Sequence, residues 1–309
     1  MNKKILSSIA VATALFAGCD LPRSGSANTG NDSTKVDSLP PAPAAVAPTY
    51  NSPESVISDG KFLYVANVGE KLEPSVKDGD GRIMKLDLAA AQWIDKDKWA
   101  AIKLDAPKGM AIIGRRLFVA DIDRIVEIDL DKVEQTAVYD FAALQTSFLN
   151  DLCVKGDSTL LFSATDINAL YQLDLRTKEA TKLKTGPLNG PNGLFYAGAE
   201  NKIYCVEYGS GEKPKGRVLV IEGNTGATRQ LGKHVGGLDG IAMTAQGALL
   251  FSDWGTAHLE KMDIGTGAVT EIVSDSIRGP ADFRYDALTG RAFVPAMMEG
   301  KLLVLEGIQ

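Results

Sequence analysis

The chain has 309 residues, of which 45% are apolar and 23% charged, and it contains 31 glycines. This composition is typical of a soluble globular body, either one large domain or two small ones. The net charge of -6 comes from both signs scattered along the chain, so no basic stripe points to nucleic acid as a partner.

The first twenty residues have the pattern of an export signal. Two lysines open the chain, an apolar core spans residues 5–16, and a small Ala-Gly pair directly precedes Cys19. The core is too short to span a bilayer as a stable helix. A cysteine in this place resembles the bacterial lipoprotein box, although Phe16 stands where that box usually has an aliphatic residue. The pattern predicts a signal peptide over residues 1–18 and lipidation of Cys19; an ordinary cleaved signal peptide is the alternative.

Residues 19–49 are rich in Ser, Pro, Ala, Asn and Gly and contain few large apolar side chains. Such a segment cannot bury enough surface to offset the entropy of ordering, which predicts a flexible, lipid-anchored linker. The folded part is then residues 50–309. We expect an exported cell-envelope lipoprotein, in the periplasm or on the outer face of a membrane, which touches the membrane only through its lipid.

Cysteine and histidine usage excludes several kinds of site. Cys153 and Cys205 stand in strand-like apolar runs without a Cys-x-x-Cys spacing, which favours buried free thiols over a disulfide. The only histidines, His234 and His258, are predicted in surface loops. His-dependent triads and zinc cages are therefore not expected.

Six related segments repeat along the chain. Each has a small or turn residue, a short apolar strand, a polar turn and a second strand such as "LYVAN" or "LFVAD"; a third strand follows in most, and a fourth is plausible in several. Equivalent positions are separated by 54, 42, 42, 47 and 42 residues, and a helix-like excursion over residues 87–102 accounts for the longest interval. Short strands in units of about 40 residues predict an all-β, six-bladed β-propeller.

The last unit ends after its third strand, at Glu306. Because a ring must close to hide its sheet edges, a strand from the other terminus is expected to complete this blade. Residues near Ala44 to Tyr50 are the predicted closing strand.

One equivalent position in each unit should lie at the central channel, because the first strand of a propeller blade lines that channel. The residues at this anchor position are Glu54, Lys108, Asn150, Asn192, Asp239 and Ala281. Asn192 lies in "PNGLF", and Asn-Gly before an apolar run usually marks a tight hairpin turn. It could also be a ligand, or both. Glu54 and Lys108 do not favour positive φ and are costly to crowd at a narrow axis, so turn formation alone does not explain the set.

Two carboxylates and two amide oxygens around one opening would form a hard-oxygen cage of charge -2. Such a cage suits Ca²⁺, or alternatively Mg²⁺ or Mn²⁺, and offers nothing to soft metals. The pattern predicts one divalent cation bound by Glu54, Asn192 and Asp239.

These positions resemble the gluconolactonase and senescence-marker-protein (regucalcin-like) family of six-bladed propellers. Glu54 in "SPESV", Asn150 in "LNDL", Asn192 in "GPNGLF" and Asp239 in "GLDGIA" follow the family's order in the matching blades, and the resemblance spans residues 50–309. It implies that Glu54, Asn192 and Asp239 hold one cation. It also implies that Asn150 faces water or substrate and that Asp239 is the catalytic base or proton carrier.

The function that this resemblance implies is metal-dependent hydrolysis of a small lactone or ester, and we expect a monomer. No covalent nucleophile is required, which agrees with the absence of a Gly-x-Ser-x-Gly elbow. The alternative is a non-catalytic propeller that binds a ligand or a protein partner, since fold does not dictate function.

Two residues depart from the family pattern. Phe148 stands where family lactonases often have an arginine that grips substrate oxygens, which favours a more apolar lactone or ester over a sugar-acid lactone. Lys108 could bind a substrate carboxylate, pair with Glu54 and weaken the cation site, or extend into solvent.

Several acidic residues flank the anchor line. Asp151 and Asp282 follow it by one place and are candidates to support the site, with turn-capping favoured for Asp282. Solvated rim positions are predicted for the acidic residues that end second strands, which are Asp121, Asp123, Glu207 and Asp253. Trp254 either walls a substrate pocket or packs within its blade.

Overall fold

The repeated strand-and-turn pattern folds into six four-stranded sheets. The computed structural model describes residues 5–6, 49–87, 92–272 and 276–309. All strand neighbours within a sheet are antiparallel. The predicted all-β, six-bladed propeller is confirmed.

The blades follow chain order. Blade 1 consists of β2 (Pro53–Ser58), β3 (Phe62–Asn67), β4 (Arg82–Asp87) and β5 (Trp93–Ile94). Blade 2 consists of β6 (Pro107–Ile113), β7 (Arg116–Asp121), β8 (Arg124–Asp129) and β9 (Glu134–Asp140). Blade 3 consists of β10 (Leu149–Gly156), β11 (Thr159–Ala164), β12 (Ala169–Asp174) and β13 (Glu179–Lys182).

Blade 4 consists of β14 (Pro191–Ala197), β15 (Lys202–Glu207), β16 (Gly216–Glu222) and β17 (Thr228–Gly236). Blade 5 consists of β18 (Leu238–Met243), β19 (Leu249–Asp253), β20 (His258–Met262) and β21 (Val269–Glu271). Blade 6 consists of β22 (Arg284–Asp286), β23 (Arg291–Ala296), β24 (Lys301–Leu305) and β1 (Ile5–Leu6). Short helices are α1 (Lys96–Ala101) and two 3-10 turns, Ala142–Leu144 and Met297–Glu299.

The helix-like excursion predicted over residues 87–102 forms β5 and α1, while residues 88–91 lie outside the described part. Trp99 of α1 is buried, and its ring lies 5.6 Å from the ring of Tyr64, centroid to centroid. The excursion therefore covers the boundary between blades 1 and 2 with apolar surface.

Six apolar clusters hold the ring together, one at each boundary between neighbouring blades. At the closing boundary, Phe293 and Leu302 of blade 6 pack with Leu63 of blade 1. Burial of apolar surface contributes about 25 cal/mol per Å². Side-chain packing between sheets therefore closes the ring and holds the inner strands around one axis.

The predicted closing strand is wrong for the described residues. Blade 6 takes its fourth strand from Ile5–Leu6, which pairs with β24 and lies within the predicted signal peptide. Tyr50 contributes only one backbone hydrogen bond to blade 6, to the Gly300 carbonyl at 3.4 Å. Residues 44–48 of the predicted strand lie outside the described part.

The predicted signal peptide, the linker and the lipidated Cys19 fall almost entirely on residues that lie outside the described part, and they stay predictions. In the part of the chain that the structure describes, no helix has the length and apolarity that a membrane span requires. Cys153 and Cys205 are free thiols, as predicted; Cys205 is buried and Cys153 half-buried.

Candidate functional site

The five polar anchor residues share a local irregularity. The inner strand of each of blades 1 to 5 skips register against its neighbour, at Pro53/Ser55, Pro107/Met110, Leu149/Leu152, Pro191/Leu194 and Leu238/Ile241. Every polar anchor residue lies inside one of these skips. A β-bulge inserts an unpaired residue and re-aims its side chain, which explains how residues within strands can face the axis.

The "PNGLF" stretch is not a hairpin turn. Asn192 and Gly193 lie inside β14, and neither has a positive φ. A Cβ atom on Gly193 would lie 2.3 Å from the Asp239 carbonyl oxygen, so only glycine allows β14 to approach β18 this closely. The turn interpretation is therefore wrong, and the glycine brings Asn192 and Asp239 to neighbouring places on the axis.

All five polar anchor residues line one cavity of about 280 Å³ at one mouth of the channel. The other residues that line it are Val68, Leu72, Pro74, Phe148, Thr165, Tyr208, Trp254 and Met297. The structure thus brings together Glu54, Lys108, Asn150, Asn192 and Asp239 beneath mostly apolar walls. The sixth anchor, Ala281, is buried in a small apolar cluster and adds no polar atom.

Two oxygens of this group have no partner. Glu54 Oε2 and Asp239 Oδ1 are buried, and neither has a hydrogen-bond partner among the described residues. Burial, reinforced by the charges of Asp239 and Asp282, raises the pKa of the Glu54 carboxyl well above its ordinary value. Burial and Asp282 raise the pKa of Asp239 to about 7, against hydrogen bonds that lower it.

Trp254 positions Asp239 as well as walling the cavity. Its Nε1–H donates to Asp239 Oδ2 at 2.8 Å, which leaves Oδ1 as the oxygen without a partner. The indole also meets Tyr208 edge-on, with ring centroids 6.3 Å apart. Of the two interpretations of Trp254, the pocket wall is confirmed, while its hydrogen bond to Asp239 had no signal in the sequence beyond its place after a second strand.

The residues present fit a hard divalent cation. Two buried carboxylates with unpartnered oxygens repel each other and lack the solvation that an anion needs. A cation bound by both carboxylates would cancel the repulsion and replace the missing solvation. The Asn192 side chain lies next to them, with Nδ2 3.4 Å from the Leu238 carbonyl, so its Oδ1 remains available as a ligand. Asn150 lines the same cavity.

Lys108 does not extend into solvent. The side chain is 1% exposed, and its Nζ donates to the carbonyls of Pro74 at 2.7 Å and Ala106 at 3.0 Å and lies 4.7 Å from the Phe148 ring centroid. Burial lowers the pKa of Lys108 to about 8, and the charge of Glu54 opposes this shift. The solvent interpretation is wrong because carbonyls and an aromatic face receive the ammonium inside the protein.

Asp151 and Asp282 lie on the other side of the anchor line, at the opposite mouth of the channel. Asp151 accepts hydrogen bonds from the backbone N–H of Leu152 at 2.7 Å and of Leu194 at 2.6 Å, and Asp282 accepts one from Ser55 Oγ at 2.5 Å. Each therefore ties one inner strand to the next, and turn-capping is the wrong role for Asp282.

Three of the four acidic residues predicted at the rim are buried, which are Asp121, Glu207 and Asp253. Asp123 lies in the turn after β7 and is half-buried. Arg124 lies 2.7 Å from Asp121 and Arg217 lies 2.6 Å from Glu207, and both carboxylates also accept backbone N–H groups. The rim prediction fails because arginines at the start of third strands supply the charge that lets these carboxylates stay inside.

Comparison with known proteins supports the fold. No protein-family model and no curated protein matches the sequence. Among solved structures, the chain is similar to virginiamycin B lyase from Staphylococcus aureus, at 16% identity and a TM-score of 0.57 over 84% of this chain and 96% of that one. It is also similar to a luciferin-regenerating enzyme, at 14% identity and a TM-score of 0.59 over 84% and 94%.

A third neighbour is the extracellular domain of a one-component system from B. thetaiotaomicron, at 14% identity and a TM-score of 0.53 over 81% of this chain and 32% of that one. The first two neighbours are six-bladed propellers and enzymes. At such identities the likeness shows the fold alone.

Proposed function

We propose that the protein is a divalent-metal-dependent hydrolase of a lactone or ester, with a site of the gluconolactonase and senescence-marker-protein kind. The observation that carries the proposal is the pair of unpartnered buried oxygens, Glu54 Oε2 and Asp239 Oδ1, in one cavity with two asparagines. A fold that only needed stability would gain nothing from leaving two carboxylates without partners.

Glu54, Asn192 and Asp239 would hold the cation, with Ca²⁺ as the first candidate and Mg²⁺ or Mn²⁺ as alternatives. When bound, the cation would polarise the ester carbonyl and lower the pKa of a neighbouring water. Substituting the Asn192 or Glu54 side chain should therefore weaken cation binding without changing the shape of the cavity.

Asp239 acts as the base. Its carboxylate accepts a proton from water as the water oxygen bonds to the ester carbonyl carbon. The bond from that carbon to the alkoxy oxygen then breaks, and the proton passes to the departing oxygen, so that a lactone opens to a hydroxy acid. Trp254 donates to Oδ2 of Asp239 at 2.8 Å and so fixes the orientation of the carboxylate.

The walls select the substrate. Phe148, Tyr208, Trp254 and Met297 offer apolar and aromatic surface around the polar group. An alkyl or aryl lactone or ester would bury its body against these side chains, while the hydroxyl-rich ring of a sugar lactone would lose hydrogen bonds to water. Asn150 and Lys108 are the side chains that can orient the polar end of such a substrate.

The setting of the enzyme is also proposed. Cys19 would anchor an exported monomer to the envelope, and the extracellular domain among the structural neighbours supports an exported setting. Cleavage before Cys19 would remove Ile5–Leu6, so the mature protein would close blade 6 without β1. The substrate would then be a small molecule that reaches the cell surface or the periplasm.

Metal analysis and a lactone panel test the proposal together. The purified protein and its Asp239→Ala variant are analysed for bound metal and assayed with alkyl, aryl and sugar-acid lactones at saturating Ca²⁺ or Mn²⁺. We expect bound metal and turnover of the apolar lactones in the wild type, and loss of both in the variant. A wild-type protein that binds no metal and opens no ester would contradict the proposal.

One observation favours the alternative of a non-catalytic ligand-binding propeller. Lys108 places a buried positive charge in the cavity close to Glu54, where it can partly replace a cation. In that case the cavity would bind an anionic apolar ligand without turning it over. Binding of a carboxylated aromatic compound by metal-free protein, without hydrolysis of its ester, is the result expected from this second function.

A further inference from the structure

A second group of metal-ligating side chains lies at the boundary of blades 4 and 5. His234 belongs to β17, Asp253 ends β19 and Glu260 lies on β20. One potential ligand atom from each residue lies within 4.8 Å of the other two. None of the three lines the axial cavity. The prediction that His234 occupies a surface loop is wrong, because it lies in a strand with its side chain 18% exposed.

The charges in this group are not balanced as they are in other blades. Asp121 and Glu207, at the equivalent ends of their second strands, each face an arginine of the third strand. In blade 5 the third strand begins instead with His258, which faces Glu271 at 3.5 Å. Asp253 is 1% exposed and Glu260 is 3% exposed, and the ion-pair partner that the structure shows for both is one imidazole.

Two buried carboxylates against one imidazole leave a net charge of -1 when His234 is protonated and -2 when it is neutral. Buried charge without compensation is unfavourable, and a divalent cation between the three side chains would compensate it.

Supporting hydrogen bonds already orient both carboxylates. Thr256 Oγ1 donates to Glu260 Oε1 at 2.8 Å, and the Gly255 N–H donates to Asp253 Oδ1 at 2.7 Å. The remaining oxygens face His234: Asp253 Oδ2 lies 2.9 Å from Nε2, whereas Glu260 Oε2 lies 3.8 Å from Nδ1, beyond hydrogen-bond range. Ligands held by such outer partners are typical of metal sites, and the exposed edge of His234 gives an ion access from solvent.

We propose that His234, Asp253 and Glu260 bind a divalent cation of the Zn²⁺ class that joins the outer strand of blade 4 to blade 5. One imidazole nitrogen and two carboxylate oxygens suit Zn²⁺ or Co²⁺, and three protein ligands leave a position for water. Asp253 and Glu260 face different nitrogens of the His234 ring, so one of the three side chains has to rotate when the ion binds. The axial group offers oxygen ligands only and should prefer Ca²⁺. The two sites are therefore separable by ion type, and this inference does not depend on the proposed hydrolase.

Competitive titration tests the site. The full chain, without a polyhistidine tag, is saturated with Ca²⁺ and titrated with Zn²⁺ and with Co²⁺, whose visible absorption reports a bound ion. We expect about one equivalent to bind, and His234→Gln and Glu260→Gln to weaken binding by at least about tenfold. His258→Gln is the matched control, since it removes the other histidine, and Glu54→Gln should lose Ca²⁺ but keep Zn²⁺. Equal affinity in His234→Gln and His258→Gln would overturn the proposal.

A measurement on the wild type covers the case in which a variant fails to fold. Imidazole NMR signals of the two histidines are followed as Zn²⁺ is added to the Ca²⁺-saturated protein. We expect the His234 signals to shift or disappear at one equivalent while those of His258 stay in place. If His234 titrates as an imidazolium between its two carboxylates and ignores Zn²⁺, the group is an ion triad and the proposal is wrong.

Discussion

Buried carboxylates occur in this propeller in two arrangements. Inside blades 2 and 4, Asp121 and Glu207 each face an arginine of the same blade and accept backbone N–H groups. At the axis, Glu54 and Asp239 each keep one buried oxygen without a partner among the described residues. The same fold thus neutralises one pair of carboxylates with arginines, whereas the other pair depends on the proposed cation for its neutralisation.

The largest expected difference concerns turnover. Asp239→Asn keeps the shape and an acceptor for Trp254 but removes the base, so kcat at saturating Ca²⁺ should fall by about 10²–10⁴-fold. Asp121→Asn, in the blade interior, should leave kcat unchanged in whatever fraction remains folded. Steady-state assays with the lactone of the panel that is turned over fastest measure this. Equal losses of kcat in the two variants would contradict a catalytic role that is specific to Asp239.

Stability should show the reverse. Asp121→Ala leaves the backbone N–H groups of Asp105 and Ala106 without their acceptor and leaves Arg124 with the Asp105 carboxylate alone, and we expect a loss of about 3 kcal/mol in the free energy of unfolding. Glu54→Gln removes a buried carboxylate whose Oε2 has no partner among the described residues, so the metal-free protein should be as stable or more stable at neutral pH. Urea unfolding with EDTA present measures both, and a large destabilisation by Glu54→Gln would show that the axial carboxylate is also structural.

The buried carboxyls near the axis should make the metal-free protein sensitive to pH. Burial raises the pKa of Asp239 to about 7 and of Asp282 to about 6, so the stability that their protonated forms contribute is present below pH 4 and lost as pH rises through 6 and 7. Other groups titrate below pH 5, so the comparison runs from pH 5 to pH 8, over which we expect a loss of order 2 kcal/mol in EDTA. Excess Ca²⁺ at 100 times its Kd should restore about 2.7 kcal/mol at pH 8. Thermal unfolding across this range, with and without Ca²⁺, checks the sign.

Trp254→Phe sharpens the comparison at Asp239 itself. Loss of the Nε1–H bond removes a group that lowers the pKa of Asp239, so the acid limb of the kcat/KM profile should move up by about one pH unit. Trp93→Phe is the control, because the buried Nε1 of Trp93 has no partner among the described residues. An unshifted profile in Trp254→Phe would mean that the indole is only a wall.

Lys108→Met should have the smallest effect. Removing a positive charge near Glu54 should tighten Ca²⁺ binding by about threefold to tenfold, measured by calorimetry. The same variant should raise KM for carboxylated lactones if the ammonium binds a substrate carboxylate. Weaker Ca²⁺ binding would show instead that the bond from Lys108 to the Pro74 carbonyl shapes the cation site.

Most of the correct predictions about the fold came from the repeat in the sequence. Because every blade has the same strand order, a spacing of about 42 residues predicted six sheets and also predicted that Glu54, Asn192 and Asp239 would meet at the axis. It did not reveal the β-bulges that turn these side chains inward, since a bulge depends on how two strands pair and not on either strand alone.

The sequence by itself determined the number of blades and the chemical types around the axis, because both follow from local patterns repeated along the chain. Only the tertiary structure decided which charges are neutralised. Arg124 and Arg217 bind carboxylates of their own blades, and His234 contacts Asp253 of the neighbouring blade. One oxygen of Glu54 and one of Asp239 have no hydrogen-bond partner among the described residues. The reason is physical: the energy of a buried charge depends on what lies within a few ångströms of it, and those neighbours come from distant parts of the chain.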